Sequence, residues 1–172
     1  MLKTSLSKVL NEQVNAEYYS AYLYLTMSAY ADRAGFKGVA NWFFVQAQEE
    51  MAHGTHIYQH LLERGATPVF ADVKVPQNDF KSLEEAFAKT FEHEQHVTEL
   101  INNIATIALR ENDHATYQFI LWYVNEQIEE EAAAEELLTK VRLIRDNTAL
   151  LYNLDAELAT RVFNNPFAAA AK

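Results

Sequence analysis

Cysteine is absent from the 172 residues, and glycine (four) and proline (three) are scarce. The first absence removes disulfides, zinc-thiolate sites and iron-sulfur clusters, without by itself fixing a compartment. The second leaves little turn chemistry, which favours a few long helices over many short strands, so an all-α chain is expected. Basic residues are outnumbered by acidic ones, 14 to 24, for a net charge of −10. Such a surface repels phosphate backbones and attracts cations, and nucleic acid is not an expected partner. No run of about 18 apolar residues occurs, and the start, Met1-Leu2-Lys3-Thr4-Ser5-Leu6-Ser7-Lys8, has no apolar stretch of the secretory kind. No membrane partner is expected, and the reading is a soluble, cytoplasmic protein. What is present is 49% hydrophobic content in a length suited to a single domain with a sizeable core.

Apolar residues recur at helical spacing in five segments. Residues 5–33 put Leu6, Leu10, Gln13, Glu17, Ser20, Tyr24, Met27 and Ala31 on one stripe, and residues 39–64 do the same with Val39, Phe43, Gln46, Glu50, His53, Ile57 and Leu61. Gly35 and Gly38 punctuate the gap between them, and Gly65 with Pro68 stops the second. Residues 66–81 carry two prolines and no helical period. Extended, they reach about 50 Å, enough to cross a helix of about 28 residues end to end. Ser82 and Glu85 form a capping box for a third helix through Phe87, Phe91, Glu94, Thr98 and Ile101, ending near Arg110. Asp113 caps a fourth, with Thr116, Ile120, Tyr123, Gln127, Glu130, Ala134, Leu137 and Val141 on its stripe. The expected architecture is an antiparallel four-helix bundle over about 5–145, with one long crossover connection. A short fifth helix over about 149–161 is expected to pack at a subunit interface, and a tail, 162–172, to fray from Asn164 onward.

Charge interrupts these stripes at matched places. Glu50 follows Glu17 by the same 33 positions by which Gln127 follows Glu94, and Glu94 follows Glu17 by the same 77 by which Gln127 follows Glu50. Two hairpins thus repeat one polar plan, bringing Glu17, Glu50, His53, Glu94, Gln127 and Glu130 to one level of the bundle. A single buried glutamate reads as a hydrogen-bonded helix residue. Four at one level do not, because removing each from water costs several kcal/mol and like charges repel. His53 is the only basic residue among the six, so metal cations are the natural compensation. Hard oxygen donors with one imidazole suit iron or manganese, with zinc as competitor. The general ligand plan of di-iron carboxylate bundles is nearly this set, with Gln127-x-x-Glu130 in place of a second Glu-x-x-His.

Glu49, Glu126 and Glu129 sit one position from the inner residues and, with Glu130, could hold a third metal or form an acidic solvent face. Tyr24 reads either as core with a bonded hydroxyl or as a hydrogen-bonding or redox group beside the metals. Trp122 reads as core. His56, His60, His93, His96 and His114 read as surface or packing residues.

Several motifs resemble the ferritins, and among them the bacterial non-haem type. They are Leu10-Asn11-Glu12-Gln13 with Glu17; Ala47-Gln48-Glu49-Glu50-Met51-Ala52-His53; Glu92-His93-Glu94-Gln95; and Trp122-Tyr123-Val124-Asn125-Glu126-Gln127 with Glu129-Glu130-Glu131. The likeness runs over residues 1–161. It implies a ferroxidase centre, with Glu17, Glu50 and His53 around one iron, Glu50, Glu94 and Glu130 around a second, and Gln127 close by. Glu49, Glu126, Glu129 and Glu130 match a third iron site. It further implies oxidation of Fe(II) by O2 or hydrogen peroxide, a ferric mineral, and a hollow homo-oligomer of 24 subunits whose last helix lines four-fold contacts. Two departures stand out. Ile128 occupies a place where the usual motif has His, and is expected to face outward. Gln118 and Leu121 replace the acids that line three-fold channels in animal ferritins, which puts that way in for iron in doubt.

Met51 falls where haem-binding bacterioferritins place their methionine ligand, which keeps that reading as an alternative, although Gln127-x-x-Glu130 departs from that family's fourth helix. A purely structural acidic bundle that binds metal adventitiously is the other. A DNA-protecting mini-ferritin is disfavoured by an N-terminus with only Lys3 and Lys8, and a rubrerythrin-like peroxidase by the missing cysteines.

Overall fold

The computed structural model describes residues 2–168. It contains five helices: α1 (Thr4–Arg33), α2 (Lys37–Glu63), α3 (Leu83–Arg110), α4 (His114–Ile144) and α5 (Thr148–Leu158). Among the described residues there is no strand, and no helix is long and apolar enough to cross a membrane. Helices α1 and α2 pair through a short turn, α3 and α4 through another, and α1 packs on α3. The connection over residues 64–82 carries no helix. The fold is the expected all-α four-helix bundle with a short C-terminal helix.

Local chemistry sets the ends. The turns after α1, α2 and α3 each use a left-handed residue, Gly35 (φ 90°), Gly65 (φ 68°) and Asn112 (φ 56°), types that adopt this conformation at low steric cost. Ser82 Oγ accepts from the Glu85 amide at 3.1 Å, while the Glu85 carboxylate accepts from the Lys81 amide at 2.6 Å. Asp113 Oδ1 accepts from the Thr116 amide at 3.0 Å, and both its oxygens accept from Arg64 at 3.0 and 2.9 Å. One side chain thus caps α4 and ties it to the end of α2. Burial opposes ionisation of Asp113, but the bonds from Arg64 and Thr116 win and hold its carboxyl down to about 2.

The core is in two halves. One gathers Leu23, Met27, Phe43, Phe87 and Val141; the other gathers Leu10, Ile57, Leu61, Ile101 and Ile120. Every residue of the polar plan lies between them along the helices.

Helix α5 packs on α2 and α4 of its own chain, burying Leu154 and Leu158 in the first half-core. Gly38 permits this close approach, since a Cβ there would overlap the Asp155 carbonyl oxygen, and Asp155 in turn accepts from the Val39 amide at 2.8 Å. Leu150 and Tyr152, on the other side of α5, are exposed. The segment expected to fray is placed at Phe167, which stacks on His56 (centroids 3.8 Å apart) and meets the Trp122 ring edge-on at 4.5 Å. Residues 169–172 of that tail lie outside the described residues.

Candidate metal centre

Helical stripes carry Glu17 on α1, Glu50 and His53 on α2, Glu94 on α3, and Gln127 and Glu130 on α4 to one level, each 7% exposed or less. The tightest convergence is Glu17, Glu50 and His53, with one donor atom of each lying within 4.8 Å of the others. Among the described residues no other three acidic or imidazole groups converge so closely. His53 Nδ1 lies 3.5 Å from Glu50 Oε2 and 4.0 Å from Glu17 Oε2. Its other nitrogen, Nε2, is buried with no hydrogen-bond partner among the described residues. The ring is walled by Trp122 and Tyr123, and the Tyr123 hydroxyl donates to the His53 carbonyl at 3.0 Å.

Glu94 and Glu130 complete the layer beyond Glu50. The Tyr24 hydroxyl donates to Glu94 Oε1, and Gln127 Nε2 donates to Glu94 Oε2 at 3.1 Å. Gln46 Nε2 donates to Glu130 Oε2 at 2.8 Å, and Gln13 Nε2 to Glu17 Oε1 at 2.8 Å. Neutral donors thus hold one oxygen of Glu17, one of Glu130 and both of Glu94, and each oxygen keeps a second lone pair for another partner, as in metal ligands oriented by outer hydrogen bonds.

Electrostatics make the layer costly when it stands alone. Burial first, then the neighbouring Glu50, raises the Glu17 carboxyl well above the usual range; burial and then Glu94 do the same to Glu50. Burial raises Glu94 despite the bonds from Tyr24 and Gln127. Burial and Glu94 push Glu130 up to about 8. Among the charges that act most strongly on these four, His53 is the single basic one. Four oxygen-donor carboxylates and one imidazole, with no compensating lysine or guanidinium among the described residues, form a donor set that fits divalent cations of the first transition row.

The flanking acids are placed differently. Glu49 is partly buried and accepts from Arg161 Nη2 at 2.6 Å, Glu126 is partly exposed, and Glu129 is exposed. None of the three belongs to the convergent group. Ile128 points outward, 66% exposed, and Met51 is 47% exposed on α2.

Three partners escaped the reading of the sequence. Gln13 and Gln46 precede Glu17 and Glu50 by one turn and repeat the 33-residue spacing, a signal that was there to be used. His93, read as surface or packing, is largely buried, its Nε2 2.7 Å from Ser20 Oγ and its ring edge-on to Tyr24. Burial lowers it to about 4, so it stands neutral beside the layer.

Residues 7–144 match the model of the ferritin-like domain. The chain is 40% identical over 164 residues to a bacterial non-heme ferritin of Staphylococcus aureus, covering 95% of this chain and 99% of that one. It is 38% identical over the same length to its counterpart in Staphylococcus epidermidis. Among solved structures it is similar to an open pore ferritin from Archaeoglobus fulgidus, with 42% identity, a TM-score of 0.92, and coverage of 94% of this chain and 100% of that one. A closed form of that ferritin made by site-directed mutagenesis gives 43%, 0.93, 95% and 100%.

Proposed function

The chain belongs to the ferritin-like family, and from that premise we propose that it is a ferroxidase and iron-storage protein whose substrate is Fe(II). The observation that carries this reading is the layer of four buried carboxylates with one imidazole and, among the described residues, no lysine or arginine paired with them. Two Fe(II) ions enter the layer, one held by Glu17, Glu50 and His53, the other by Glu50, Glu94 and Glu130, with Gln127 fixing Glu94. Each ion gives up one electron to O2 or hydrogen peroxide. With O2, two electrons and two protons yield hydrogen peroxide; with peroxide, two electrons and two protons yield two waters.

Carboxylates suit this work because they can bridge and change denticity as iron contracts on oxidation, while the helices that carry them keep their spacing. Tyr24, bonded to Glu94, orients that ligand and lies where it can pass an electron. The product Fe(III) leaves the centre for a hydrated ferric oxide mineral. The mineral is held inside a hollow 24-subunit shell in the cytoplasm. Support for assembly comes from large apolar side chains exposed on the single subunit, among them Tyr22, Leu25, Phe70, Val75, Leu150 and Tyr152.

Aerobic Fe(II) oxidation followed by the growth of ferric absorbance tests the reading. Wild-type protein should oxidise Fe(II) well above the buffer rate, and Glu50→Ala and Glu94→Ala variants should not. Equal rates in all three would leave an acidic scaffold that binds metal without turning it over.

A further inference from the structure

The chain after α5 doubles back over α2 and α4 at the level of the metal layer, and it brings a fixed cation with it. Arg161 Nη2 donates to Glu49 Oε2 at 2.6 Å and Nη1 to the Trp42 carbonyl at 3.4 Å, while the guanidinium carbon lies 4.8 Å above the Trp42 ring. Its backbone is held too, because Asn41 Nδ2 donates to the carbonyls of Leu158, Ala159 and Arg161 at 3.3, 3.4 and 2.9 Å. Six residues on, Phe167 closes against Trp122 and His56. Arg161 is thus clamped by ion pair, ring face and backbone, and only partly exposed, at 27% of its side chain.

Resting on the ferroxidase reading of the neighbouring layer, we propose that Arg161 is the resident cation of the Glu49 flank, so that this subunit holds two metal ions and not a third. A third ion would need Glu49, Glu126, Glu129 and Glu130 to converge. Glu49 instead has its Oε2 engaged by a guanidinium, a carboxylate partner that binds through directional N–H donors and never deprotonates. Glu130 is turned to Gln46, and Glu129 stands in solvent. The same guanidinium opposes the effect of burial on both Glu49 and Glu126. It therefore does electrostatically for this flank what iron does for the inner layer. For a metal to bind here, the tail would have to lift and Arg161 leave Trp42.

Zn(II), which undergoes no redox change, serves as the probe, and its stoichiometry in the full-length protein is counted by isothermal titration. Two tight ions per subunit in the wild type and three in Arg161→Ala, with the extra ion lost again in Arg161→Ala/Glu49→Gln, is the expected pattern. Arg161→Gln provides a second way of removing the charge while keeping side-chain bulk, and should also give three. Three ions in the wild type, or two in every variant, would overturn the assignment of Arg161. Failure of the wild type to bind any tight ion would instead sink the inner metal centre, and this inference with it.

Discussion

Gln46 on α2 donates to Glu130 on α4 at 2.8 Å, joining two helices across 84 residues of chain at the edge of the buried carboxylate layer. Among the described residues no other hydrogen bond orients the Glu130 carboxylate, so Gln46→Leu, close in size, should leave the bundle folded while loosening the ligand. Loss of such outer partners typically costs 10- to 100-fold in metal affinity. Titration with Zn(II) should show a drop of that order at one of the two inner positions, and unchanged affinity would mean that Gln46 merely fills space.

Function and stability should separate at Glu50. Its carboxyl is disfavoured as an anion by burial and by Glu94, and Glu50→Gln keeps the shape while removing the charge. Metal-free Glu50→Gln is expected to melt several degrees above metal-free wild type at pH 8, from a gain on the order of 1 kcal/mol or more, and to lose Fe(II) oxidation. A lower melting point would show that Glu50 is a structural residue.

The same groups set a pH dependence. All four inner carboxyls bind protons more tightly in the folded chain than in the unfolded one, where they titrate near 4.3. A raised carboxyl contributes stability that is complete below the unfolded value and lost as pH rises through the folded one. Metal-free protein should therefore weaken between about pH 5 and pH 8, the upper value being that of Glu130. Metal-loaded protein should weaken less, because cations take the place of the protons. Thermal melts with and without Zn(II) check this, and a metal-free melting point that climbs over the same range would contradict it.

Tyr24 is fully buried, and its hydroxyl donates to Glu94. Tyr24→Phe removes that donor and leaves the ring stacked near Phe43. Fe(II) oxidation should slow by roughly tenfold, and any tyrosyl radical signal during turnover should vanish. Unchanged kinetics with an unchanged signal would reduce Tyr24 to packing.

Much of this was legible in the residue pattern because helical periodicity is a strong signal and charge on an apolar stripe is a rare one. The six inner positions and the capping roles of Ser82 and Asp113 could be read from spacing, and the outward Ile128 from the family resemblance. What could not be read depends on close approach between segments far apart in the chain. Gly38 looked like a turn residue, yet its missing side chain is what lets α5 lie on α2. Arg161 is off every stripe and more than a hundred positions from Glu49, so no periodicity could pair them. Gln13 and Gln46 were visible but passed over, since a glutamine on a stripe resembles a tolerated polar residue until its partner is seen.

The most direct measurement is anomalous diffraction at the iron edge from crystals soaked in Fe(II). Two iron peaks per subunit are expected in the layer, both within bonding distance of Glu50, one also of Glu17 and His53, the other of Glu94 and Glu130. An ordered lattice with no iron between these carboxylates, or with the carboxylates turned to arginine, lysine or solvent, would contradict the metal centre.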